Sequence, residues 1–507
     1  MIEDVEFGKS WVPSYLRILM ETLIKNDLKQ AIIGQAIVSA TKPRSCISPI
    51  MFGLGVDTEK VFGSRWLLTE LSRLGFSVSY DEVTRFKRNV VKNESITSYI
   101  KQNLVGVFGQ WSGDNCDHDF CTLDGKGTLH GMGVILSVTP ATNSTSLKPI
   151  PRNQVTAAEA AESSGGIPIL PYQLPEETGL SSVKLKPIVE LNMANVLPEK
   201  LIYDQIWHTL YFHTMLRPSW SGYMSTVASG SYPGQSSVSL LPIIDLNPND
   251  MSCIFSTLKF VESQAQALNI VTPIIIFDQP LWIKAYEVIQ AKSLNMVCML
   301  GGFHLLMSFM GSIESLMKKS GLEESMEQIY AKNTVPHIIS GKAISRALRA
   351  HFIVESALVC KLMSPLVTSE STEIEIEALK TDLDLIVDGC EHNPNFEIDM
   401  NNYPTLSKLL ELLECYKNDL DQCSRTAKFW LQYLEYMQVV KDFIRSERTG
   451  DWNMYLYSIS RMINLFAATA HIHYAKSARL HLQNMLNLNE SHPWVYEQFS
   501  QFSHNQT

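Results

Sequence analysis

Apolar residues recur along this chain with two different periods, and the change between them divides it. Over residues 1–100 the spacing is helical. Ser64 stands before Leu67, Leu71 and Leu74, and Gly75 is a natural stop. Ser79 with Glu82 three residues later reads as a capping box, and Val83, Phe86 and Val90 repeat at helical spacing behind it. Two helices joined by a short turn, within residues 61–92, make a candidate helix-turn-helix; a plain helical bundle with a basic solvent face is the competing reading.

The next segment is extended. Leu104 to Trp111 is an apolar and aromatic run ending at Gly113-Asp114, and Met132 to Val138 is a second one. Two strands with a connection of about 20 residues are expected between them, the Asp124-Gly125 and Lys126-Gly127 steps supplying turn residues. From Pro140 to Ser182 the chain is rich in Ser, Thr, Pro, Gly and Ala and reads as a flexible, low-complexity insertion. Ser237 to Asp245 is extended again. Asn249-Asp250 caps a helix with Ile254, Leu258, Val261, Ala265 and Leu268 on one face. Ile274 to Phe277 and Met296 to Leu300 are short, fully apolar runs of the kind buried on both faces of a sheet, each followed by a helix. After Ser312 the pattern is helical, with Ala427, Trp430, Leu434, Met437, Val440 and Ile444 on one stripe that ends at Gly450.

The domain expectation is therefore a helical region over 1–100, an α/β core over 101–312 carrying the insertion at 140–182, an all-helical domain over 313–490 and a polar tail over 491–507. Composition changes this little. The 507 residues carry a formal net charge of −10, which excludes a strongly basic chain as a whole. Most of that excess lies between Glu370 and Asp399, where ten acids face one base, Lys380; a solvated loop or helix face explains it. Between Lys60 and Lys92 seven bases face three acids, and Arg85, Lys87, Arg88 and Lys92 are the candidate DNA contacts. None of the nine cysteines stands in a CxxC pair, and the opening residues MIEDVEF carry acids where a secretory signal carries bases. The expectation is an intracellular protein, nuclear or cytoplasmic, not secreted. The apolar stretch Asn295–Gly311 falls short of the ~20 residues that span a bilayer, so no membrane contact is expected.

Candidate chemistry sits at strand ends. Asp114 follows the first strand and Asp278 ends the run Ile274–Phe277. Functional groups gather at the carboxyl ends of strands in open α/β sheets. Two carboxylates on neighbouring strands suit Mg²⁺ or Mn²⁺ in two-metal phosphoryl transfer. Hairpin strands with one acid, then strand, helix and a strand with a second acid, is the order found in ribonuclease-H-like nucleases and transposases. Glu447, in RSERTGDW, is the candidate third acid. Asp117, His118 and His304 are further candidate metal ligands. Each has a plainer reading: Asp114-Asn115 as a turn, Asp278 as a helix cap, Glu447 as an exposed charge beside Arg445 and Arg448, the loop acids and histidines as solvated polar groups. No P-loop, GxSxG, HExxH or GxGxxG on a strand-to-helix turn is present.

Several strings stand together: FGSRWLLTELSRLGFSVSYDEVTRF, GDNCDHDFCTLDGKGTLHGMG, FDQPLWIKA, LGGFHLLMSFMGSI, IRSERTGDWNMYL and FAATAHIHYAKSARLHLQ. In this combination, over residues 50–485, the chain resembles a family of uncharacterised proteins found in many copies in invertebrate genomes, with fungal domain-of-unknown-function proteins as distant relatives. The resemblance implies a mobile-element origin and a transposase-like core. Family members generally carry DNxDHN, where this chain ends the motif in Asp119. They also continue beyond the helix around Leu482, so the expectation includes a shortened, degenerate copy. The summed expectation is an α/β ribonuclease-H-like core with a helical N-terminal region and a large all-α insertion or C-terminal half. It would be a transposase-type protein cutting DNA with a divalent metal, active or decayed. The alternative is a non-catalytic DNA-binding or interaction protein that offers its helical half to a protein partner.

Overall fold

A computed structural model of the chain describes residues 12–42, 47–93, 108–119, 128–139, 150–164, 166–176, 179–181, 183–191, 193, 201–212, 217–227, 236–341, 343–368, 374–393, 396 and 398–504. They form two compact units, one of residues 1–103 and 143–166 and one of residues 104–142 and 167–507.

The first unit is helical: α1 (Ser14–Leu23), α2 (Asp27–Thr41), α3 (Pro49–Phe62), α4 (Arg65–Arg73), α5 (Tyr80–Asn93) and α6 (Ala157–Ser164). Side-chain caps start three of them: Asn26, Ser48 and Ser64 accept from the third backbone N–H onward. The α4 to α5 turn passes through Gly75 at φ +81°, as its position in the sequence predicts. The buried face of α4 differs from the expected one. Leu68 is the fully buried leucine, whereas Leu74 is 68% exposed. Leu68 and Val83 both close on Gly55 of α3. The capping box is half formed. Ser79 Oγ accepts from Glu82 N at 3.3 Å, but the Glu82 carboxylate turns away to Arg85 and to Arg152, whose Nε lies 2.6 Å away.

The stretch expected to be a flexible insertion makes specific contacts at several described positions, while most of its residues stay exposed. Asn153 exchanges hydrogen bonds with Asn89 of α5, and Val155 and Ala160 are buried. Farther on, Leu170 N donates to Ser256 Oγ at 2.8 Å and Lys186 N to Gln483 at 2.8 Å, both within the second unit. The segment satisfies some of its backbone groups on neighbouring helices.

The second unit holds one five-stranded sheet: β1 (Phe108–Asp119), β2 (Thr128–Thr139), β3 (Ser237–Leu240), β4 (Ile274–Phe277) and β5 (Val297–Leu300), in the order β3-β2-β1-β4-β5. β1 and β2 are antiparallel, β2 and β3 are antiparallel, and β1, β4 and β5 run parallel. The first strand is longer than expected. It continues through Asp114 to Asp119, each residue paired with β2, so the Asp114-Asn115 step is strand and not turn. The polar side chains there hid the strand because this part of the hairpin has no β4 partner and faces solvent.

Around the sheet lie α7 (Leu201–Thr209), α8 (Trp220–Thr226), α9 (Met251–Ala267), α10 (Gln279–Lys292), α11 (Gly302–Met317), α12 (Leu322–Glu327), α13 (Val335–Ile339), α14 (Ile344–Thr368), α15 (Ile376–His392), α16 (Pro404–Cys423), α17 (Arg425–Thr449), α18 (Trp452–Ala468), α19 (Ile472–Leu486), α20 (Leu488–Ser491) and α21 (Pro493–His504). Asp250 caps α9, and Ile254, Leu258, Val261, Ala265 and Leu268 are all buried. The late helices do not stand apart from the sheet: α19 packs on α10 and β5, and α11 packs on α17 and α18. By length and composition alone α14 is apolar enough to cross a membrane, yet it buries His351 and Glu355 inside the unit.

A buried ionic cluster fixes α17. Lys441 Nζ lies 2.7 Å from Glu355 Oε1, and Arg445 lies 2.6 Å from Asp204 Oδ1. Gln438 and Trp220 donate to Asp204 at 2.7 Å each, and Gln438 also donates to Asp442 at 2.8 Å. Lys441 and Arg445 hold the Asp204 carboxyl down at about 2 against the opposing effect of burial. Burial, reinforced by Asp204, raises Asp442 to about 6. Removing one partner from such a cluster strands a charge away from water.

Candidate functional site

The last β1–β4 rung pairs Gly113 with Phe277, and the last β4–β5 rung pairs Phe277 with Leu300. Gly113 and Phe277 share a face, because a Cβ on Gly113 would lie 3.0 Å from Phe277 Cδ1. Successive residues of a strand point to opposite faces. Asp114 and Asp278, one step beyond that rung, therefore leave the sheet side by side on the other face, where neighbouring strands are about 5 Å apart. Gly301 occupies the same step after β5 and donates its N–H to Phe277 O at 2.7 Å.

Asp278 has two roles. Its Oδ1 caps α10 by accepting from Leu281 N at 3.1 Å. The side chain is half-buried, and that burial raises its carboxyl; the Leu281 hydrogen bond opposes the rise, the charge of Asp114 adds to it and His304 opposes it. Asp114 is exposed, with Oδ1 accepting from Asn115 N at 2.7 Å. His304 stands in the first turn of α11, directly after β5. Tyr474 of α19 closes another side: burial, with Asp278 second, pushes its phenol up to about 12.

Glu447 reaches the same end of the sheet from the last turn of α17. Its carboxylate lies against Gly302, where an added Cβ would collide with it, 2.6 Å from the carboxyl carbon. It keeps contact with solvent yet sits in a protein-lined recess, and the crowding pushes its carboxyl up to about 7. The sequence offered Glu447 as a third acid or a plain helix-end charge; the structure puts it at the start of α11, against Gly302.

The other sequence candidates fall elsewhere. Asp117 is exposed and pairs across the hairpin with His130, Oδ1 to Nδ1 at 2.8 Å. His118 belongs to β1, and its side chain is outside the described residues. Among the described residues no three His, Cys, Asp or Glu side chains form a closed metal-ligating group. Arg85 pairs with Glu82, Lys87 with Glu59 and Lys92 with Glu159 at 3.8 Å, while Arg88 donates to Val155 O at 3.4 Å. All four basic candidates are thus engaged within the first unit.

Gly301 and Gly302 were legible in sequence as residues that permit a close approach, which Gly302 makes with Glu447; Tyr474 was missed. Tyr474 stands inside FAATAHIHYAKSARLHLQ, one of the strings that carry the family resemblance, and that string is the signal that could have found it. The donor set at the sheet end is oxygen-rich and hard: two adjacent carboxylates with one Asp278 oxygen unused by the cap. A divalent cation that keeps several waters and takes one or two carboxylates fits this better than a cation needing a full protein cage.

A family model matches residues 219–506; its description is "Domain of unknown function (DUF8702)". No curated protein and no solved structure matches the chain.

Proposed function

The chain belongs to the DUF8702 family, and for it we propose a transposase-type protein of mobile-element origin. Its ancestral chemistry is metal-dependent cleavage and transfer of DNA phosphodiesters. The observation that carries this reading is the shared step of Asp114 and Asp278 beyond the last β1–β4 rung, with Glu447 brought to Gly302 after the adjoining strand. A strand order β3-β2-β1-β4-β5 with β2 alone reversed is the arrangement of ribonuclease-H-like cores, and supports the same reading.

In this reading Asp114 and the free Asp278 oxygen hold Mg²⁺ or Mn²⁺. Bound there, the cation supplies Lewis acidity toward the scissile phosphate and its attacking oxygen. Glu447, pushed up to about 7, is poised to take or give a proton near neutral pH. Tyr474 and α19 shield one side of Asp278 from water.

A second reading, a non-catalytic DNA-binding or interaction protein of the same fold, is favoured by one observation: Asp278 already serves as the cap of α10. Asp278→Asn separates the two. Asparagine caps a helix nearly as well as aspartate, so the fold survives while the charge goes. Titration with MnCl₂ is expected to show binding that Asp278→Asn removes, together with Mn²⁺-dependent nicking of supercoiled plasmid. Unchanged Mn²⁺ binding in Asp278→Asn overturns the enzyme reading.

A further inference from the structure

The last turn of α17 also borders a second cavity, of about 560 Å³, on the side of the second unit formed by α7, α8 and α14. Three arginines line it, Arg217, Arg349 and Arg448, and no acidic side chain does. Among the described residues none of the three forms an ion pair, although the chain as a whole is acidic. Arg349 and Arg448 are exposed. Arg217 is half-buried, with its guanidinium 4.0 Å from the centre of the Trp207 ring and NH1 donating to Trp207 O at 3.2 Å. Phe352 is half-buried in the same wall, its ring 5.4 Å from that of Trp220, and Trp220 is itself held by the Asp204 carboxylate.

Arginines lining one cavity whose walls carry no acidic side chain suit a phosphate, which takes bidentate guanidinium donors. Half-buried aromatic and guanidinium faces suit a base, stacked rather than read by hydrogen bonds. The volume is that of a small-ligand pocket. We propose that this cavity is a nucleotide pocket, with the phosphate on Arg349 and Arg448 and the base against Phe352 and the Arg217 guanidinium. Its ligand is one unstacked nucleotide of a DNA strand. That choice of source rests on the proposed DNA reaction, because Arg448 follows Glu447 and the two sites share one helix end.

The test is equilibrium binding in EDTA, so that it does not depend on the acidic site. The probes are a labelled single-stranded oligodeoxynucleotide, the same strand made abasic, and free dAMP. The intact strand is expected to bind the wild-type protein, and to bind Arg349→Glu/Arg448→Glu about tenfold or more weakly. It should bind better than the abasic strand, and Phe352→Ala should erase that difference. Both arginines are exposed, so their replacement leaves the fold intact. Asp278→Asn is expected to bind the strand as the wild type does, which separates this pocket from the metal site. Binding of dAMP with the same arginine dependence assigns the pocket to free nucleotides and keeps the chemistry. Equal binding of intact and abasic strands, or wild-type affinity in the double arginine variant, overturns the proposal, as does no binding of either nucleotide probe.

Discussion

Glu447 rests its carboxylate on Gly302, and no side chain fits between them. The contact joins a helix that begins far along the chain to the first residue of α11, two steps after β5. Gly302→Ala is therefore expected to push the Glu447 carboxylate out of its recess. Because the colliding atoms are the end of a flexible side chain, the stability cost should be near the low end of overpacking, about 1 kcal/mol. Displacing a reacting group by about 1 Å costs on the order of a hundredfold in rate. Urea denaturation beside a plasmid-nicking assay separates the two effects. Full activity in Gly302→Ala would detach Glu447 from the chemistry.

Stability should carry the signature of Glu447 in its pH dependence. Its free value is 4.5 and its folded value about 7. Below the lower value both states are protonated and the group contributes nothing. Between the two, the folded state holds a proton that the unfolded state releases, so stability falls as pH rises through this window and stays lower above it. Glu447→Gln removes that fall. The loss of melting temperature between about pH 5 and about pH 8 is expected to be smaller in Glu447→Gln than in the wild type. Equal losses would place the carboxyl in ordinary solvent.

The cluster around Lys441 should behave as one unit. Lys441→Met leaves Glu355 buried and uncompensated, at an expected cost of about 3–5 kcal/mol. The double replacement Lys441→Met with Glu355→Leu should recover much of it. Denaturant titration of the single and double variants measures the coupling, and additive losses would deny it. Asp204 works in the opposite sense to Glu447. Its folded value of about 2 lies below the free value of 3.8, so its contribution is complete above that free value and disappears as pH falls through about 2.

DNA affinity is the prediction that the first unit must meet. If Arg85, Lys87, Arg88 and Lys92 face phosphates, affinity should fall steeply with salt, and Lys87→Ala with Lys92→Ala should lower the slope by about 2. Glu59→Ala and Glu159→Ala release the same lysines from their internal partners and should strengthen binding. A salt-independent affinity would remove the DNA role of these helices.

The sequence made local features legible and concealed distant ones. The buried stripe of α9 and the strands β4 and β5 could be read because period and burial coincide within a few residues. So could the position of Asp278, which sits between an apolar run and a proline-led helix. The polar end of β1 could not, since its pairing with β2 leaves no apolar alternation. The expected stripe of Leu67, Leu71 and Leu74 gives way to Leu68 as the buried leucine of α4, one step off the stripe. Lys441, Asp442 and Arg445 look like a solvated helix face in sequence. Their partners Asp204 and Glu355 come from α7 and α14, and only the tertiary fold pairs them.

That buried charge anchor and the exposed acid lie within two turns of one another on α17. The anchor sets the helix's rotation and height, and so acts as the index mark for where Glu447 arrives. Loss is then ordered. A variant that sheds the acid can still fold, but one that sheds a member of the anchor forfeits the fold along with the acid's position.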